Sequence, residues 1–223
     1  MAPSKPWISG VIGCAAIAIL RCRKMKTSPL FPPIRFAFVA LALLAPHLAR
    51  AQDLLTRVSL TTSLGVIVLE LDRVHAPATV QSFLRYVMDG HFDNTIFYRV
   101  VPRFVIQAGS VGPDGNGRPV HDSSPLEANN GLSNTRGAVA MARGDEPNSA
   151  TAEFFIDLVD NTGLDRRPDD SENKTGYTVF GHVVDGMTVV DAIAAVPLGG
   201  GQGPFPDAAP LTPVVIQKAA ILR

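Results

Sequence analysis

The chain has 223 residues, 46% of them hydrophobic and 18% charged, a balance that supports a packed core and argues against disorder. Its formal charge of zero hides an asymmetry, because all 20 acidic residues lie beyond residue 51 and seven of the 20 basic ones precede it. Residues 52–223 hold 13 basic side chains against 20 acidic ones, a charge of −7 with no basic stripe, which excludes nucleic acid as a partner.

The basic beginning reads as a targeting segment. Met25, Lys26 and Arg35 precede the apolar run from Phe36 to Ala45, and Ala49-Arg50-Ala51 supplies a small-x-small cleavage site. The run falls short of the roughly 20 apolar residues of a spanning helix. Cleavage after Ala51 is expected to release a periplasmic protein beginning at Gln52, with no stable membrane association. A second apolar patch, Trp7 to Leu20, followed by Arg21, Arg23 and Lys24, points to Met25 as the true start; an uncleaved anchor made of both patches is the alternative. Val11-Ile-Gly-Cys14 is only a loose lipoprotein box. The chain thus divides into a targeting segment, 1–51, and one domain, 52–223. Cys14 and Cys22 both fall in the first part, so the domain has no disulfide, thiolate metal site or cysteine nucleophile.

From Arg57 onward the pattern is short strands with turn signals. Arg57–Ser63 and Gly65–Leu71 are rich in β-branched residues and read as a hairpin. A helix follows, with Pro77 in its first turn, Val80, Phe83, Leu84 and Val87 on one face and Gly90 at its stop. Further strands are predicted at Thr95–Val101, Phe104–Ala108, Ala138–Ala142, Phe154–Leu158, Tyr177–Val184 and Pro213–Leu222, and a second helix at Met187–Ala195 with Met187, Val190 and Ile193 on one side. Eight strands and two helices without long helical crossovers predict a mainly β fold, a closed eight-stranded antiparallel barrel capped by two α-helices. Two irregular segments, Ser110–Thr135 and Val196–Thr212, are long enough to carry function.

Ordinary catalytic machinery is missing. His75, His91, His121 and His182 show no metal-ligand spacing, and the domain has neither a GxSxG elbow nor a phosphate-cradling loop, so no metal or cofactor is expected. The unusual feature is the run from Phe97 to Gly109. Strand alternation places Arg99 and Val101 on one face, and after Pro102 Val105 and Gln107 on one face, a polar pair among apolar residues. By periodicity alone, Arg99 reads equally as a solvated strand charge, Phe104 as core and Glu153 as the wet side of a buried strand.

The string Phe97-Tyr-Arg-Val-Val-Pro-Arg-Phe-Val-Ile-Gln-Ala-Gly109 resembles the cyclophilin motif, and Gly137–Arg143, Asn148–Ile156 and Tyr177–Met187 match further family segments in order. The resemblance spans about Val58 to Leu222 and is similar to bacterial members. It implies a peptidyl-prolyl cis/trans isomerase with Arg99 and Gln107 as catalytic residues: the guanidinium stabilises the prolyl nitrogen as it pyramidalises, and Gln107 orients the arginine. It assigns the proline pocket to Phe104, Val105, Phe155, Leu164 and Tyr177, and the main-chain anchor of the residue before proline to Ala142 and Arg143. The implied partners are unfolded or partly folded proline-containing polypeptides, acted on by a monomer that assists the folding of exported proteins.

Departures qualify the carry-over. Val105 stands for the usual methionine and Tyr177 at a position often histidine. Glu153, in the substrate-contacting set, replaces a glutamine; its charge either pairs with Arg99 or Arg143 and competes with substrate, or faces solvent. Gly163 occupies the place of a pocket-rim aromatic, which implies weak cyclosporin binding. If Glu153 neutralises Arg99, the alternative is a proline-binding module or chaperone with little catalysis.

Overall fold

The computed structural model describes residues 55–168, 175–199 and 203–222; the predicted targeting segment at 1–51 lies outside them. β1 (Leu55–Thr62) and β2 (Gly65–Asp72) form the predicted hairpin, with Thr62 opposite Gly65. Along β2, alternation buries Ile67, Leu69 and Leu71 completely and leaves Val66 and Glu70 on the outer face.

Helix α1 (Pro77–Met88) buries the predicted face, Val80, Phe83, Leu84 and Val87, together with Thr79 and Tyr86. Its first residue is proline, which has no N–H to leave unpaired. The next donors are met from outside the helix: Glu127 accepts from the backbone N–H of Ala78 (3.1 Å) and of Thr79 (2.8 Å) and from the Thr79 hydroxyl (2.7 Å). A carboxylate here also meets the positive end of the helix. Phe83 then packs at ring-centroid distances of 5.0, 5.4 and 5.1 Å from Phe92, Phe154 and Phe180, joining the helix to the barrel interior.

The remaining elements are β3 (Thr95–Val101), β4 (Val105–Ala108), β5 (Ala138–Met141), β6 (Phe154–Asp157), β7 (Val179–Asp185), α2 (Met187–Ala194) and β8 (Val215–Leu222). All eight predicted strands and both helices form, with ends displaced by no more than two residues. The strand order is β1-β2-β7-β5-β6-β4-β3-β8, every pairing is antiparallel, and β8 returns to β1 with Leu60 opposite Ala219, so the barrel closes. Gly186 opens α2 with φ +86°, where a Cβ would collide with the Val66 carbonyl. Val190 and Ile193 are buried in the same core as the inward side chains of the strands.

What positions the site is a second apolar layer. β4, β5 and β6 are buried at every residue. Their inward side chains, such as Ile106, Val139, Met141, Phe154 and Ile156, belong to the main core, whereas Val105, Ala138, Ala140 and Phe155 form a separate cluster on the outer wall with Val179 of β7. Apolar side chains on the outside of a barrel need a cover or a ligand. Part of the cover comes from Ser110–Thr135, which is pinned down: Arg118 donates to the carbonyls of His91 (2.6 Å) and Asn94 (3.1 Å), and Ser124 bridges Ala150.

Candidate active site

The β3–β4 ladder contains the irregularity on which the site depends. Phe97 pairs with Ala108, but Arg99 pairs with Gln107, so Tyr98 and Arg99 together oppose one residue. Alternation is broken there. Phe97 and Val100 stay in the core, Tyr98 joins an outer cluster with Ile96 and Val111, and Arg99 reaches a cavity of about 260 Å³ on the outer wall. After the bulge Val101 faces Val105, and the chain turns through Pro102 and Arg103, closed by the Phe104 N–H donating to the Val101 carbonyl at 3.0 Å. Arg103 takes φ +62°, a left-handed conformation that glycine adopts at less cost. The turn delivers Phe104 to the cavity rim, and its carbonyl is held by Leu158 N–H (2.9 Å) and Asn161 Nδ2 (3.0 Å).

Of the ten residues assigned from sequence, nine line this one cavity: Arg99, Phe104, Val105, Gln107, Ala142, Arg143, Phe155, Leu164 and Tyr177. Arg99 Nη1 donates to Gln107 Oε1 at 2.9 Å, and Gln107 Nε2 donates to the Tyr98 hydroxyl at 2.5 Å. Leu164 sits at the end of a 3-10 turn, Thr162–Leu164, and its carbonyl accepts from the Tyr177 N–H at 3.0 Å. Tyr177 meets Phe155 edge to face, 5.6 Å between ring centroids. The Ala142 N–H donates to the Glu153 carbonyl at 2.9 Å, fixing the chain where β5 ends. Arg143 donates to the carbonyls of Gly176 (3.1 Å) and Gly144 (2.9 Å), with its guanidinium 5.2 Å from the Tyr177 ring centre.

Glu153 is the tenth, and its side chain is elsewhere. Its Oε1 accepts from Ser110 N–H at 2.9 Å and from the Ser110 hydroxyl, behind the Arg99–Gln107 pair and away from the cavity. Among the described residues no carboxylate forms an ion pair with Arg99 or Arg143. Neither reading of Glu153 from sequence, competitor or solvated charge, describes this placement. The carboxylate lies against Gly109, where a Cβ would collide with Oε2.

Phe205 lines the cavity and went unassigned in the sequence. Its ring stacks on Tyr98, 14° between planes and 6.2 Å between centroids, and the Arg99 guanidinium lies 5.2 Å from its centre. It is the one aromatic in the irregular Val196–Thr212 segment, the signal by which the sequence could have singled it out. At Gly163, in contrast, an added Cβ would meet no atom of the described residues within 4 Å.

The closed eight-stranded barrel thus carries on its outer wall a cavity of about 260 Å³ in which Arg99, Gln107 and Arg143 meet the apolar side chains of Phe104, Val105, Phe155 and Leu164. The family model described as "Cyclophilin type peptidyl-prolyl cis-trans isomerase/CLD" matches residues 57–221. Peptidyl-prolyl cis-trans isomerase cyp18 of Streptomyces antibioticus is 46% identical over 168 residues, 75% of this chain and 99% of that protein. Peptidyl-prolyl cis-trans isomerase A of Dickeya dadantii is 43% identical over 168 residues, 75% of this chain and 85% of its own length. Among solved structures, a Cryptosporidium parvum cyclophilin-type isomerase crystallised in the presence of the dipeptide Ala-Pro superposes with a TM-score of 0.59 at 23% identity, covering 75% of this chain and 99% of that one. The chain belongs to the cyclophilin-type peptidyl-prolyl cis-trans isomerase family, and it is an enzyme of that type.

Proposed function

We propose that this isomerase assists the folding of exported proteins by accelerating rotation about their X–Pro bonds, as a monomer in the periplasm after cleavage behind Ala51. The observation that carries the site assignment is the Arg99 guanidinium, held by Gln107 at 2.9 Å in a cavity that Phe104, Val105, Phe155 and Leu164 also line. The peptide C–N bond resists rotation by about 18–20 kcal/mol because nitrogen shares its lone pair with the carbonyl. Phe104, Val105, Phe155, Leu164 and Tyr177 take the proline ring, and the main chain at Ala142 and Arg143 holds the residue before it. Arg99 then donates to the prolyl nitrogen as the twist localises its lone pair. That contact strengthens only in the twisted state, the condition for faster rotation. The substrates are unfolded or partly folded proline-containing polypeptides, and with Gly163 at the rim cyclosporin binds weakly.

Phe205 completes the site on the Arg99 side. Replacing Phe205 with alanine is expected to slow catalysed exchange in a short X–Pro peptide by about three- to tenfold, the worth of a partly exposed cation–π contact and its apolar area. Exchange spectroscopy by NMR reads this directly; an unchanged rate removes Phe205 from the site.

Export and folding are tested together. The full chain, expressed in a Gram-negative host, is expected in the periplasmic fraction with Gln52 as its first residue, and to speed the proline-limited refolding phase of an exported protein. A full-length species retained in membranes overturns the export reading. Refolding at the uncatalysed rate overturns the folding role.

A further inference from the structure

Two lips of the cavity come from different turns. Phe104 closes the turn between β3 and β4, directly after Arg103 with its φ of +62°, and Leu164 ends the Thr162–Leu164 turn. Neither lip is built to hold itself. Phe104 lies outside the β3–β4 pairing, which stops at Val101 and Val105, and the 3-10 turn is three residues long and buries none of them. Asn161 joins the two. Its Nδ2 donates to the Phe104 carbonyl at 3.0 Å, and its own carbonyl accepts from the Leu164 N–H at 2.8 Å. Among the described residues no other residue hydrogen-bonds to both lips; Leu158, the second donor to the Phe104 carbonyl, ties that lip only to the end of β6.

The clasp is anchored from beneath. Asn161 Nδ2 also donates to Oδ1 of the buried Asp157 at 2.7 Å, and the Asn161 N–H donates to the Asn134 carbonyl at 2.7 Å. Asp165, on the other side of Leu164, accepts from the Asn134 N–H and Nδ2, each at 2.7 Å, so the Leu164 turn is gripped on both flanks. Asn161 stands at the head of the 3-10 turn, where an asparagine ordinarily caps the turn with its side-chain oxygen. It makes no such cap, and its amide reaches across to the β3–β4 turn and to β6 instead. Asn161 does not itself line the cavity, so whatever it does there is done through Phe104 and Leu164.

We infer that Asn161 is a positioning residue that sets the spacing of the Phe104 and Leu164 lips, and with it the ring size the cavity accepts, a role that rests on the proline site proposed above. Hydrogen bonds to both lips fix a separation that apolar contact alone leaves adjustable. A five-membered ring fits between lips so held, and a ring with one more methylene has to force them apart. Gly163, within the same turn, has no side chain with which to narrow the opening instead.

The test uses the full chain and two peptides that differ only in carrying proline or pipecolic acid, whose ring is one methylene larger. NMR titration gives the dissociation constants and exchange spectroscopy gives kcat, at a temperature where circular dichroism shows the variants folded. The parent is expected to bind the pipecolyl peptide about tenfold more weakly than the prolyl one, the penalty of a methylene in a fitted pocket. Asn161→Ser keeps a residue favoured at the head of a helical turn, but its hydroxyl is one atom shorter than the amide that reaches Phe104. Asn161→Ser and Asn161→Ala are each expected to weaken prolyl-peptide binding about fivefold, to keep kcat within about twofold and to narrow the ring preference to about twofold. Phe155→Ala is the control for the site itself. If it weakens prolyl-peptide binding while both Asn161 variants bind and discriminate like the parent, the inference fails and the proline site stands. Equal weakening of both peptides by the Asn161 variants also overturns it, because lip spacing would not then be what Asn161 sets. So does failure of Asn161→Ser to fold, which would make the residue's role one of stability. Unchanged prolyl-peptide binding by Phe155→Ala removes the site and the inference together.

Discussion

Arg99→Ala is expected to lower kcat/KM by about a hundredfold, roughly 2.7 kcal/mol of transition-state stabilisation, while leaving peptide affinity within a few-fold of the parent. The split follows from the geometry. Among the described residues, the cavity wall of Phe104, Phe155 and Leu164 makes no hydrogen bond to Arg99, which lies on the outer face of β3 and bonds to Gln107 alone. In the role proposed for it, removing Arg99 deletes the donor to the pyramidalising prolyl nitrogen and little that would hold the substrate beforehand. Arg99→Lys keeps the charge but not the planar fork, and is expected to recover only part of the loss, because an ammonium cannot satisfy Gln107 and the nitrogen in fixed directions. A loss that appeared wholly in KM would mean Arg99 binds substrate without acting on the twist.

The second large effect is on stability and comes from Asp157. This β6 residue has no solvent exposure; its Oδ1 accepts from Asn161 Nδ2 at 2.7 Å and its Oδ2 has no partner. Burial raises its pKa to about 7, the negative charges of Asp165 and Asp160 add to the rise, and only the Asn161 hydrogen bond opposes it. The folded state thus binds the proton more tightly than the unfolded chain, whose carboxyl titrates near 3.8. The associated stability is present in full below about pH 4 and is lost as pH rises through about 7. Asp157→Asn keeps the shape without the charge, and at pH 8 is expected to be more stable than the parent by about 2 kcal/mol. Denaturant unfolding of both proteins at pH 5 and pH 8 measures it, with the gap widening at the higher pH; a gap independent of pH would show that charge at Asp157 is not the cause. Asn161 also donates to the Phe104 carbonyl, so this titration takes place one residue away from the cavity rim.

How much of this was legible in the residues depends on how local each feature is. Strands and helices follow from alternation and from apolar spacing, and both survive in the structure because the barrel's inward face demands them. Eight of the nine cavity residues are carried by motif segments whose order along the chain already matches the family, and Leu164 lies between two of them. Glu153 fails because it stands just before β6, outside the ladder that fixes side-chain direction, and its carboxylate turns to Ser110. Phe205 fails for another reason. It reaches Arg99 from more than a hundred positions downstream, on a glycine- and proline-rich segment that has no periodicity to say which way a side chain turns.

The return of β8 onto β1 matters for the company this protein keeps. Unfolded polypeptides offer long runs of unpaired main chain, and any sheet with a free margin invites them to extend it, a route to mixed aggregates. A ring of strands offers no such margin. In the proposed role, main-chain contact with a client would fall to the few residues where β5 gives way to Ala142 and Arg143, too short a stretch to template a sheet. An isomerase built this way, acting as proposed, would take hold of a proline in a sticky chain and let go of it again.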